Sequence, residues 1–189
     1  MEFETERLLV RTPRPSDAID LLNATRASIS RLRMFPASLP WALGEPDEAS
    51  TQLYIQKALE TTVQKKDFPL IFISKGNVSI AGCGGVHRPN FRAGKFEIGF
   101  WGNVSHSGKG CITEAVQGIV RRLSHAYSAH RIEALIDDRN LPAIAVCERS
   151  GFELEGILRN ERMDPDGKLR HTRVYSVVLA NSTSQPQQQ

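Results

Sequence analysis

A strand, a glycine-containing loop and a helix follow one another directly in residues 95–126, KFEIGFWGNVSHSGKGCITEAVQGIVRRLSHA. Apolar residues alternate with Glu97 and Gly99 in the first part, which is the period of a strand that buries one face. After the glycines, apolar residues recur at spacings of three and four, as in an amphipathic helix. The first N–H groups of such a helix lack internal partners, so the loop can hold a phosphate or pyrophosphate. A tight turn without a ligand is the alternative.

Two familiar nucleotide motifs do not fit this loop. A P-loop needs four residues between its first glycine and the Gly-Lys pair, whereas Gly102 and Gly108 enclose five. The dinucleotide pattern G-x-G-x-x-G would need a glycine at the position that Thr113 occupies. The loop therefore resembles an anion site without being either motif.

Composition narrows the class of protein. The chain has 189 residues and 40% hydrophobic residues, which favours one globular domain, and its net charge of +3 is too weak to indicate nucleic-acid binding. No apolar run approaches the roughly 20 residues of a membrane helix, and the acidic N-terminus lacks signal-peptide features. The cysteines, Cys83, Cys111 and Cys147, are odd in number and widely spaced. They favour reduced thiols in a cytoplasmic protein, and the histidines show no metal-ligand spacing, so we expect no metal.

Hydrophobic periodicity predicts the element order β α α β β β α β α β β, an α/β chain with a mixed sheet and helices packed on it. Ser16 is the expected N-cap of a helix over about 17–30, with Ile19 on its apolar side, and Asn140 that of a short helix at 141–150. The proline-rich loop 34–46 holds Trp41, which is either a core plug or part of a substrate wall. The polar tail, 180–189, is expected to be disordered.

Two segments carry a resemblance to a known family. FEIGFW…SGKGCITEAV and the later HRIEALIDDRNLPAIAVCERSGFELEGILR resemble the GCN5-related N-acetyltransferases (GNAT), and more narrowly the RimJ/RimL-like branch that acetylates the N-termini of ribosomal proteins. The likeness runs over about 4–179, which it implies is a single N-acetyltransferase domain with a mixed, mostly antiparallel sheet flanked by helices. It also implies acetyl-CoA as co-substrate and a monomer or homodimer.

The resemblance assigns roles to individual residues. Phe100 and Trp101 would pair by their backbone with the pantetheine arm, and Asn140 would contact the cofactor nearby or serve only as a helix cap. Many relatives have Ser where this chain has Ala143, and that hydroxyl is held to protonate the departing thiolate. Backbone N–H groups of the loop would hold the pyrophosphate, from Ser107, Gly108, Lys109, Gly110, Cys111 and Ile112.

The implied reaction is direct attack of an amine on the thioester. Glu97 matches a position proposed as the base in relatives, with a structural salt bridge as its alternative. Tyr175 is a candidate acid for the thiolate, with a core tyrosine as the alternative, and Glu114 is expected to be a charge partner at the helix N-terminus. Loops 34–46, with Trp41, and 88–94 would shape the acceptor site. The acceptor is a protein N-terminus or a small amine, and a non-catalytic acyl-CoA sensor is the third possibility.

Overall fold

The computed structural model describes residues 1–179, and the tail predicted to be disordered lies outside them. The strands are β1 (Glu2–Glu4), β2 (Leu8–Arg11), β3 (Phe68–Ser74), β4 (Ser79–Asn90), β5 (Lys95–Gly102), β6 (Arg131–Asp137), β7 (Glu153–Met163) and β8 (Leu169–Val178). The helices are α1 (Ala18–Leu32), α2 (Glu48–Val63), α3 (Cys111–Tyr127) and α4 (Leu141–Arg149). The predicted order is confirmed, with β1 as a strand that the sequence prediction missed.

All eight strands form one sheet in the order β1-β2-β3-β4-β5-β6-β8-β7, in which the β5–β6 pair is parallel and the others are antiparallel. Alternate residues of β3 face different helices. Leu70 and Phe72 belong to the buried cluster that includes α3 and α4, whereas Ile71 belongs to the cluster with α1 and α2. The helices therefore cover both faces of the sheet.

Strands β5 and β6 are paired over only part of their length. Their register joins Lys95 to Arg131, Phe96 to Ile132 and Glu97 to Glu133. Beyond these pairs β5 runs on to Gly102 and β6 to Asp137, without a further register pair between the two strands in residues 1–179. The sheet consequently opens at the carboxyl ends of its two central strands, next to the loop that follows β5.

Two predictions about α1 are wrong. Ser16 is not its N-cap, because it lies inside a 3-10 turn over Pro15–Asp17 that precedes the helix. The carboxylate of Asp17 instead accepts hydrogen bonds from Arg11, at 2.7 and 2.8 Å, and from the Arg14 N–H. Ile19 is 66% exposed, because α1 turns small residues such as Ala24 and Ser28 toward the sheet.

No helix within residues 1–179 combines the length and apolar character needed to cross a bilayer. Cys83, Cys111 and Cys147 are buried free thiols. Across the same described residues, His, Cys, Asp and Glu side chains do not gather in threes as a metal site would require.

Candidate active site

The glycine loop starts where Asn103 ends β5. The Asn103 side-chain amide donates to the Ile80 carbonyl at 2.8 Å, and its oxygen accepts the Ser105 N–H at 3.0 Å. These two bonds fasten the loop to β4 and fold Val104–His106 into a 3-10 turn. The start of the loop is therefore fixed to the sheet, and residues 107–112 follow directly after it.

Most of the loop N–H groups are available to a ligand. Gly108 and Gly110 both have a φ of +75°, a left-handed conformation that favours glycine. The first helical bond of α3 is from Glu114 N–H to the Gly110 carbonyl, so the N–H groups of residues 111–113 have no partner in the helix. Within residues 1–179 the N–H groups of Gly108 and Gly110 have none either. The N–H groups of Ser107 and Lys109, by contrast, bind carbonyls inside the loop.

Side chains from distant elements hold this loop in place. The Arg7 guanidinium donates to Glu114 at 2.6 Å and to the Lys109 carbonyl at 2.8 Å, and Glu114 also accepts from the Thr5 hydroxyl at 2.6 Å. Burial alone would raise the pKa of Glu114, but the hydrogen bonds from Thr5 and Arg7 outweigh it and keep that pKa below its ordinary value. Glu114 thus occupies the expected place, in the first turn of α3.

Phe100 and Trp101 lie on the part of β5 that has left β6, as the resemblance requires for an added partner along the strand. Asn140 stands across the opening at the start of α4, where its side-chain oxygen accepts the Ala143 N–H at 3.2 Å. The predicted capping role of Asn140 is therefore present. Both residues of β5, together with Asn140 and Ala143, line one continuous cavity.

This cavity has a volume of about 650 Å³ and reaches from the opening between β5 and β6 to the face covered by α1 and α2. Trp41 forms part of its wall, with its ring centroid 6.2 Å from that of Trp101. The polar side chains that line the cavity include those of Glu45, Tyr54, His87, Glu97, Asp137 and Arg162. Eight segments contribute to the wall, which makes the cavity a tertiary feature of the fold.

Contacts between the β7–β8 hairpin and loop 34–46 close the far end. The Arg162 guanidinium donates to the Ser38 hydroxyl at 2.9 Å, and the Asp164 carboxylate accepts the Ala37 N–H at 3.2 Å. Behind them, buried Arg170 binds the carboxylate of buried Asp137 through two nitrogens, at 2.9 and 2.7 Å. The other predicted loop, 88–94, contributes no residue to the described cavity lining.

The two side chains predicted for proton transfer lie in different places. Glu97 lines the cavity, with its side chain 16% exposed and its carboxylate bound by Arg88. Tyr175 is 1% exposed and is not among the described residues that line the cavity. Its hydroxyl donates a hydrogen bond to the Glu148 carboxylate at 3.0 Å. The structure therefore brings Glu97, but not Tyr175, to the opening.

Sequence reasoning missed His87, Asp137 and Arg162 as cavity residues. His87 is the register partner of Glu97 on the neighbouring strand, so the alternation of β4 would have found it once the register was known. Asp137 and Arg162 reach the cavity through contacts between segments that are distant in sequence, for which there was no local signal.

Comparison with known proteins agrees with this arrangement. The sequence profile of the Acetyltransferase (GNAT) domain matches residues 7–153, more than half of the chain. The chain belongs to the GNAT family. Within it, the chain is 45% identical over 62 residues to "Probable N-acetyltransferase YjcK" of Bacillus subtilis (strain 168), a stretch that covers 33% of this chain and 34% of YjcK. The matched stretches span between 34% and 49% of the curated relatives' lengths.

The GNAT fold extends over nearly the whole chain. The microcin C7 self-immunity acetyltransferase MccE, solved in complex with acetyl-CoA and AMP, superposes with a TM-score of 0.84 at 19% identity, covering 93% of this chain and 94% of MccE. The ribosomal L7/L12 α-N-protein acetyltransferase RimL, solved with coenzyme A, gives a TM-score of 0.84 at 17% identity, covering 95% and 98%. At such identities these similarities establish the fold.

Proposed function

We propose that this protein transfers the acetyl group of acetyl-CoA to a primary amine. The amine would approach the thioester from the cavity side of the opening between β5 and β6. That opening carries the proposal, because the edge of β5 left unpaired there belongs to a strand that lines a cavity with a carboxylate and an imidazole and that leads into the glycine loop with its free N–H groups. The solved complexes of MccE with acetyl-CoA and RimL with coenzyme A, which share the fold, support the choice of co-substrate.

The glycine loop, the free edge of β5 and the start of α4 suit successive parts of acetyl-CoA, from the pyrophosphate to the thioester. The N–H groups of Gly108, Gly110 and residues 111–112 suit the pyrophosphate, since several donors and the positive end of α3 converge there. The unpaired edge of Phe100 and Trp101 offers backbone groups to the amides of the pantetheine arm, as an added strand would. Asn140 then lies near the thioester end of that arm, at the start of α4.

The reaction forms one bond and breaks one. The nitrogen of a neutral amine attacks the thioester carbonyl carbon, a C–N bond forms, and the C–S bond breaks to release the CoA thiolate. An α-amino group, with an ordinary pKa of about 8, is deprotonated at neutral pH more readily than a lysine at about 10.4. Glu97 can accept that proton, as the resemblance suggests, or bind the amine while it is still an ammonium ion.

The departing thiolate does not need a dedicated acid. A thiol has an ordinary pKa of about 8.5, so at neutral pH the thiolate takes a proton from the attacking nitrogen or from water. Ala143, which replaces the serine of many relatives, is compatible with this route. Since Tyr175 is held by Glu148 away from the cavity, we do not include it in the mechanism.

For the acceptor, we propose the N-terminal α-amine of a protein, a ribosomal protein in the first instance. Its low pKa supports this choice, as does the fold shared with RimL, and a cytoplasmic location would agree with it. Trp41 would then pack against the first residue of the acceptor. A small amine is the second candidate, because a cavity of about 650 Å³ closed at its far end is of the size that holds small molecules.

The decisive experiment incubates the purified protein with isotopically labelled acetyl-CoA and a cell extract that contains ribosomes, followed by mass spectrometry of proteins and small molecules. We expect label on the N-terminal residue of one protein. Label confined to small amines would overturn the protein acceptor and favour the second candidate. Binding of acetyl-CoA without any transfer would overturn catalysis and leave an acyl-CoA sensor.

A further inference from the structure

His87 lies on the cavity wall beside Glu97, and no role has yet been given to it. The two residues are register partners on β4 and β5, so their side chains project from the same face of the sheet. Both line the cavity. If the protein transfers acetyl groups as proposed above, His87 is placed to take the proton from the amine.

The imidazole of His87 lies against two facing glycines. Gly85 and Gly99 are register partners two residues further along the same two strands, and therefore on the same face as His87 and Glu97. A Cβ atom built on Gly85 would come within 3.1 Å of His87 Cε1 and 3.2 Å of Nε2, and one on Gly99 within 3.3 Å of Nε2. The ring can lie in this position along the cavity wall because neither residue has a side chain.

The two ring nitrogens have different surroundings. Nδ1 lies 3.6 Å from the carboxylate of Asp67, just before β3, and that carboxylate also accepts the Arg88 N–H at 3.2 Å. Nε2 lies at the other side of the ring, over Gly85 and Gly99. A carboxylate near Nδ1 favours the tautomer with its proton there, which leaves the Nε2 lone pair for the cavity.

Glu97 is occupied by a different partner. Strict alternation along β4 would send Arg88 to the opposite face from His87. The register irregularity between His87 and Asn90, and a φ of +47° at Arg88, break that alternation, and the guanidinium binds Glu97. A proton on Glu97 would compete with this ion pair, whereas the charged carboxylate remains able to attract a cationic amine.

We propose that His87 Nε2 accepts the proton that the ammonium form of the acceptor loses, with Asp67 as a positioning residue and Glu97 as the group that binds the ammonium. The neutral amine then attacks the thioester carbonyl. The proton on His87 passes to solvent, and the second proton, on the attacking nitrogen, ends on the CoA thiolate. One proton is released for each acetyl group transferred, so the reaction balances.

The pH dependence of this step involves all charged groups around the ring. An imidazole is the side chain whose charge ordinarily changes between pH 5 and 8. A protonated imidazole cannot act as base, so kcat/KM should fall toward acid pH, and we call this fall the acid limb. The groups that face His87 or the cavity beside it are Asp67, Arg88 and Glu97 on the sheet and Glu45, Tyr54, Asp137 and Arg162 on the other walls.

The test compares variants of the full chain across pH 5.5–9.5, with the acceptor that the labelling experiment identifies or with a model N-terminal peptide. His87→Gln should lower kcat about 100-fold and abolish the acid limb, the fall of kcat/KM toward acid pH. The KM for acetyl-CoA should stay unchanged within about twofold. Glu97→Gln should instead raise the acceptor KM and keep the limb. Asp67→Asn should lower kcat and leave the acceptor KM unchanged, since it removes the carboxylate beside Nδ1, and Asp67→Glu should restore kcat.

Two further variants serve as controls. Gly99→Ala keeps His87 but presses on its ring, so it should lower kcat without weakening acetyl-CoA binding. His125→Gln, on the exposed side of α3, should change neither kcat nor the limb. An active His87→Gln enzyme with the limb intact, or loss of the limb in Glu97→Gln alone, would overturn the proposal. A wild-type protein that acetylates no amine would overturn the proposed function instead.

Discussion

The glycine loop and the cavity both adjoin β5, yet they are built from different kinds of groups. The loop offers backbone N–H groups from one short segment, 108–112, whose arrangement depends on φ and ψ. The cavity offers side chains from eight segments, whose arrangement depends on contacts between distant residues. Substitutions of cavity side chains should therefore weaken acceptor binding and leave acetyl-CoA binding unchanged. Substitutions that alter the backbone of the loop should weaken acetyl-CoA binding.

The largest effect is expected where the cavity wall contains a buried ion pair. The side chains of Arg170 and Asp137 are 7% and 1% exposed, and Arg170→Leu would leave the Asp137 charge without its main partner. Removing one member of a buried pair typically costs about 3–5 kcal/mol. We expect a loss of about this size in urea unfolding, together with weaker acceptor binding, while the folded variant keeps the wild-type Kd for acetyl-CoA.

Arg14→Leu is the matched control for that variant. Arg14 and Glu2 form an ion pair with both side chains more than half exposed, and such pairs contribute about 0–1 kcal/mol. A similar loss of stability in both variants would contradict the importance of burial. A parallel loss of acetyl-CoA affinity in Arg170→Leu would show that the two sides of the site are not separable.

The same contrast explains what could be predicted from the sequence. The strand, loop and helix of 95–126 and the cap formed by Asn140 depend on residues within a few positions of one another, and they are present as predicted. Alternation along β5 also correctly separated Glu97 from Phe96 and Ile98, which are buried in the core.

The errors come from tertiary partners. The Asp17 carboxylate accepts hydrogen bonds from the Arg11 guanidinium on β2 as well as from the Arg14 N–H, and the N-terminal segment adds β1 to the sheet edge. The sequence predicted no role for His87, since its neighbour Glu97 is ten positions away and becomes adjacent only through strand register. The cavity could not be predicted because its wall requires contacts between residues far apart in sequence, such as that of Arg162 with Ser38.

A smaller effect is expected from a backbone change in the loop. Gly110 has a φ of +75°, and a Cβ there would also lie 3.4 Å from the Arg7 guanidinium. An L-residue pays about 1–2 kcal/mol for this conformation, so Gly110→Val should turn the loop N–H groups away from their common target. We expect the Kd for acetyl-CoA, measured by calorimetry, to rise about tenfold or more, which corresponds to about 1.4 kcal/mol.

Gly167→Val separates strain from ligand binding. Gly167 has nearly the same conformation, with a φ of +83° and no atom within 4 Å of the added Cβ, but lies in the β7–β8 turn. It should lower stability without raising the Kd for acetyl-CoA. Equal Kd values in the two variants would argue against the loop as the pyrophosphate site.

The smallest effect concerns the charge that fastens the loop. The pKa of Glu114 is lower in the folded protein than its ordinary value, so its contribution to stability is present above the unfolded pKa of about 4.3 and is lost as the pH falls through the folded pKa. Because Arg7 is half exposed, water screens the pair and the contribution is small. Glu114→Gln should lower the Tm slightly at pH 6, and the difference from wild type should shrink as the pH falls through the folded pKa. A difference that stays constant with pH would mean that Glu114 acts through packing and hydrogen bonds alone, and then the loop would be held without any help from charge.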